Sequence, residues 1–97
     1  MAKVKEILTG ISKPPHDRQY LIWCEGCGYE HAISPYVHRF NGDFERPTFS
    51  PSLLNNHNPA KVCHSFIVDG KIQYLGDCFH QLAGQTVELM DVEGRIK

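Results

Sequence analysis

Four cysteines and six histidines in a chain of 97 residues are the side chains best equipped for chemistry here. Cys24-Glu25-Gly26-Cys27-Gly28 follows the apolar run Tyr20–Cys24 and has the form of a zinc knuckle. Two thiolates three positions apart can hold one ion, and the glycines permit the turn that aims backbone N–H groups at sulfur. A redox C-x-x-C would normally open a helix in a βαβ setting, which this stretch lacks. The ion needs two more ligands. Cys63 is the expected third, a strand residue whose thiolate suits zinc. The fourth is Cys78 or His31, and Cys78 is favoured because the chain folds back towards Cys63. Cys24, Cys27, Cys63 and Cys78 together would make a closed structural site with no position for water.

A second constellation can perform nucleophilic catalysis. A serine nucleophile needs a base within hydrogen-bond reach and a carboxylate that orients the base. His64 and His80 are the candidate bases. Asp77 is the candidate orienter, and it would serve equally as a plain helix cap. Ser50 and Ser52 flank Pro51 in a stiff segment and are preferred as nucleophile; Ser beside Pro also has an ordinary turn role. Ser65 is less suited, because it shares its expected face with Cys63. Cys78 as nucleophile with His64 as base is a competing arrangement. His16, His38 and His57 fall in loops and are given no role.

The element that must position both sets is Lys61–Gly84. Asp69-Gly70 is a two-residue turn that tolerates φ > 0, between runs of apolar, β-branched and aromatic residues. It predicts an antiparallel hairpin of Val62–Val68 and Lys71–Leu75, with Val68 facing Lys71, Ile67 facing Ile72, Phe66 facing Gln73 and Ser65 facing Tyr74. Alternation along the strands puts Cys63, Ser65, Ile67, Ile72 and Tyr74 on one face. His64, Phe66, Val68, Lys71, Gln73 and Leu75 take the other, so Cys63 and His64 are expected to serve different centres unless a bulge intervenes. Asp77 and Gly84 bracket a predicted short helix near 78–83.

Elsewhere, a strand is expected within 3–11, a loop through the two prolines of 12–19, and a return strand at Tyr29–Ile33. Residues 34–60 are turn-rich, and Pro47, Pro51 and Pro59 argue against a central strand through those points. Gln85–Val92 reads as a last strand and the final five residues as a polar tail. The fold class is therefore mainly β: one small antiparallel zinc-stapled domain over 1–97 with one short helix.

Ten Lys+Arg against eleven Asp+Glu give a net charge of −1, and the basic residues are scattered, which argues against nucleic acid. No apolar run is long enough to span a bilayer. The N-terminus lacks the apolar core of a signal peptide. The expected compartment is the reducing cytoplasm, where four cysteines suggest metal or catalysis before disulfides.

In order along the chain stand Cys24-x-x-Cys27-Gly28-x-x-His31, Pro47-Thr48-Phe49-Ser50-Pro51-Ser52, Cys63-His64-Ser65-Phe66, Asp69-Gly70-Lys71-Ile72 and Asp77-Cys78-x-His80-x-Leu82-Ala83-Gly84-Gln85-Thr86. This ordered set, spanning Tyr20 to Asp91, resembles a family of small phage and prophage proteins often labelled "ammonia monooxygenase". The domain is similar to BubE, the peptidase of bacterial ubiquitin-like conjugation (Bub) operons. The resemblance implies a serine-type peptidase that cleaves after a ubiquitin-like tail, in the cytoplasm of a bacterial host. Glu25 stands where the family's knuckle is expected to carry proline. A non-catalytic zinc module that binds a host or phage protein is the alternative reading.

Overall fold

The computed structural model of the chain describes residues 2–8, 17–55, 59–92 and 95. It is mainly antiparallel β, in two sheets. The first has the order β1 (Lys5–Leu8), β2 (Arg18–Cys24), β3 (Tyr29–Ile33). The second runs β4 (Arg39–Phe40), β5 (Phe49–Asn55), β6 (Cys63–Val68), β7 (Lys71–Tyr74), β8 (Thr86–Glu88). Most of the expected loop at 12–19 lies outside the described residues, though Arg18 and Gln19 already belong to β2. His16, His57 and most of the polar tail also lie outside them.

The central hairpin has the expected register, from Val68 opposite Lys71 to Ser65 opposite Tyr74. Asp69 and Gly70 take φ of 51° and 78°, the mirror-image turn that matches the twist of paired strands. Gly70 is buried, and a Cβ there would lie 3.2 Å from Arg46 Cα and 3.3 Å from Glu45 O. The hairpin tip is thus packed against the chain before β5, where Gly70 N–H also donates to Pro47 O.

Inward residues of both sheets form one buried cluster: Ile22 and Ile33 from the first, Phe49, Leu53, Ile67, Ile72 and Tyr74 from the second. The stacked rings of Phe40 and Phe49, 4.5 Å apart at 7°, hold the two-residue β4 onto β5.

Two expectations need correction. β5 runs through Pro51 and lies inside its sheet, between β4 and β6. A proline is tolerated there because the β5–β6 register shifts between Phe49 and Leu53, so Pro51 sits at an irregularity where no ladder donor is required. Nor is there a helix at 78–83; these residues form successive turns, Cys78 N–H to Leu75 O, Ala83 N–H to His80 O and Gln85 N–H to Leu82 O. A helix this short is marginal, and its backbone groups have better partners elsewhere: Phe79 N–H bonds Val62 O, and Gly84 N–H bonds Tyr74 O. Asp77 therefore caps no helix. The helical turn among the described residues is the 3-10 segment Pro59–Lys61.

Replacing Gly70 by alanine should destabilise the fold by more than about 1 kcal/mol, because the left-handed φ and the crowded Cβ position both oppose a side chain. Urea denaturation of Gly70→Ala against wild type measures it, and an unchanged midpoint would contradict the packed tip.

Candidate active site and metal centre

Cys24 ends β2, Cys27 lies in the turn that follows, and Cys63 opens β6. Their sulfurs meet the ring of His80, and the four ligand atoms all lie within 4.8 Å of one another. Cys24 Sγ is 3.9 Å from Cys63 Sγ, and Cys63 Sγ is 3.4 Å from His80 Nε2. Tetrahedral sulfur and nitrogen ligands at about 2.3 and 2.0 Å from an ion stand roughly 3.5 to 3.8 Å apart, so this group can hold one metal ion.

His80 thus takes the place expected of Cys78. The physical reason is the path of the loop. Phe79 N–H is anchored to Val62 O, which swings the next side chain across the end of β6 and over Gly26. Gly26 is needed for this, since a Cβ there would collide with the His80 ring. Leu82 N–H approaches His80 Nδ1 at 3.3 Å and steadies the ring from the other side. Cys78 turns away. Its Sγ accepts from His64 N–H at 3.2 Å and donates to His64 O at 3.1 Å.

Donors around Cys24 favour its thiolate. Contact with the Cys63 thiol lowers its pKa most, to about 3, with further help from His31 and Tyr74. Tyr74 Oη lies 3.3 Å from the sulfur and accepts from Gly26 N–H, while Cys27 N–H points at the same sulfur from 3.3 Å. Burial pushes Cys27 up to about 11, with the Cys24 charge adding to it. Cys63 is raised too, because its proton bonds Cys24. A bound cation would draw all three into the thiolate form. His31, the other expected ligand, is buried and lies outside the four-ligand group, where it helps to lower the Cys24 pKa while its Nε2 has no hydrogen-bond partner. Glu25 accepts from Trp23 Nε1 at 3.2 Å and leaves the knuckle undisturbed.

On the opposite face of β6, Ser52 Oγ lies 2.9 Å from His64 Nε2, and His64 Nδ1 lies 3.3 Å from Asp77 Oδ2. Three residues named from the sequence as candidate nucleophile, base and orienter are joined in one hydrogen-bond chain. With Nδ1–H donating to the carboxylate, Nε2 is the acceptor for the serine hydroxyl. The imidazole is partly exposed and the carboxylate more so, so the site opens to solvent. Ser50 is also exposed, but it faces Arg39 across the β4–β5 pair. Ser65 is buried on the Cys63 face, its Oγ without a hydrogen-bond partner. His80 lies with the three cysteines of the group that can hold a metal, and its ring bonds Cys63 and Leu82 rather than Ser52.

His38, given no role from the sequence, touches this site: its Nε2 lies 3.1 Å from Ser52 O and holds the backbone that carries the hydroxyl. No spacing in the sequence joins residues 38 and 52; the link arises only when β4 pairs with β5. A groove lined by Tyr36, Val37, His38, Arg39, Ser50 and Pro51 runs beside the same strand.

The Gly26→Ala variant should lose metal affinity with little other damage, because the new methyl group displaces His80 and leaves three sulfurs. Competition with a chromogenic chelator measures it; wild-type affinity would contradict the His80 assignment. Cys24→Ser should be more severe, since structural metal binding can contribute on the order of 10 kcal/mol to folding. Thermal unfolding with elemental analysis follows both losses, and a variant that keeps wild-type stability and metal content would count against the centre.

No curated protein and no solved structure matches the chain. A family model does, over residues 2–75: the bacterial ubiquitination-like system serine protease, BubE. The matched span includes Ser52, His64 and the three cysteines of the metal group, and it ends just before Asp77 and His80. Over three-quarters of its length the chain carries the pattern of that family, and it belongs to the BubE family.

Proposed function

We propose that this chain is a zinc-stabilised serine peptidase that cleaves after the C-terminal tail of a ubiquitin-like protein. The observation that carries the reading is the hydrogen-bond chain Ser52–His64–Asp77 in a member of the BubE family. Ser52 Oγ attacks the scissile carbonyl carbon while His64 Nε2 takes the hydroxyl proton. Asp77 holds the ring in the tautomer that can accept it and stabilises the imidazolium that forms. His64 then gives the proton to the departing amine, leaving an ester on Ser52. Water, activated by the same imidazole, hydrolyses that ester and frees the trimmed carboxylate.

Zinc is the ion best suited to three thiolates and one imidazole. Held by Cys24, Cys27, Cys63 and His80, it would have no position for a reacting water and would serve to fix the ends of β2 and β6 and the loop through His80. The groove beside Ser50 and Pro51 would take an extended, small-residue tail, which can lie close to backbone. Genes of phage or prophage origin and action in the bacterial cytoplasm fit the same reading.

The test is cleavage of a ubiquitin-like protein carrying a C-terminal extension. Ser52→Ala and His64→Ala should each lower kcat by about a thousandfold or more, with fold and metal retained. Ser50→Ala and Ser65→Ala should keep most of the activity. A fully active Ser52→Ala would overturn the serine mechanism. A wild type that binds such proteins without cutting them would favour the non-catalytic module.

A further inference from the structure

The thiol of Cys78 is used by neither the metal group nor the proton relay, yet it is buried at the edge of both. It occupies a gap in the sheet. At the pair His64 and Leu75, an antiparallel ladder in this register would exchange two bonds, Leu75 N–H to His64 O and His64 N–H to Leu75 O. The first is present at 2.9 Å. The second is not, because the chain turns at Gly76 and Leu75 O is taken by Cys78 N–H at 3.2 Å. His64 N–H bonds Cys78 Sγ instead, at 3.2 Å, and the same sulfur returns its proton to His64 O at 3.1 Å.

The geometry points to Cys78 as a positioning residue for the base, a thiol that replaces the missing rung of the ladder and so locks the backbone of His64. This rests on the peptidase reading. His64 is the second residue of β6, where a strand would ordinarily fray, and it must hold Ser52 at 2.9 Å and Asp77 at 3.3 Å together. The adjoining residue on one side is the metal ligand Cys63, which fixes the strand from its inner face. Cys78 fixes the peptide unit of His64 itself and, being next to Asp77, sets the base and its orienter relative to one another. A thiol suits the task because one atom both donates and accepts.

The experiment compares Cys78→Ala and Cys78→Ser with wild type in three readouts: cleavage kinetics, metal content, and hydrogen exchange of the His64 amide. Cys78→Ala should keep one metal ion per chain and its KM, lower kcat by roughly ten- to a hundredfold through a misplaced base, and speed exchange of the His64 amide. Cys78→Ser, whose hydroxyl can also donate and accept, should recover most of kcat and of the protection. An active wild type with unaltered kcat in Cys78→Ala overturns this inference and leaves the peptidase reading standing. So does a His64 amide that exchanges no faster in Cys78→Ala. A Cys78→Ser variant as impaired as Cys78→Ala reduces the role to packing and overturns it as well. A wild type that cleaves nothing overturns the peptidase reading and this inference with it.

Discussion

Side chains alternate across a strand, and that single rule divides this molecule into two centres. Cys63 and His64 are neighbours in sequence and point to opposite faces of β6. The loop that crosses the same strand end repeats the division: Asp77 meets His64 on the outer face, and three residues later His80 meets Cys63 on the inner one. The metal group therefore backs directly onto the hydrogen-bond chain through Ser52 without sharing a ligand with it. Whatever holds Cys63 and His80 also holds the peptide units that carry the base and the route to its carboxylate.

That arrangement suits a small chain. A protein of this size buries only a modest core, and here the described core is shared between the inner faces of a three-stranded and a five-stranded sheet. The Cys24, Cys27, Cys63 and His80 group can hold one metal ion, which would tie β2, β6 and the following loop at one point. The polar chain on the outer face then needs no burial of its own. It lies on strands whose inner faces are packed, which keeps the distance between nucleophile and base short.

Much of this was legible because it followed from local rules. The Asp69-Gly70 turn fixes the hairpin register, and the register separates Cys63 from His64. The C-x-x-C-G knuckle and Cys63 name three of the four clustered ligands. What escaped is non-local. His80 reaches the metal group because Phe79 N–H is anchored to Val62 O and because Gly26 leaves room for a ring; both are facts of packing between distant residues. The helix expected at 78–83 gives way to the same tertiary bonds. β5 was hidden by Pro51, whose place at a register shift cannot be read from propensity. His38 reaches Ser52 only through the pairing of β4 with β5.

The most direct measurement of the division into two centres is mass mapping of the metal-loaded protein after reaction with a fluorophosphonate. The account predicts a single phosphonyl adduct, on Ser52, with one metal ion still bound per chain. An adduct on Ser50, Ser65 or Cys78, release of the ion on labelling, or no adduct at all would contradict it.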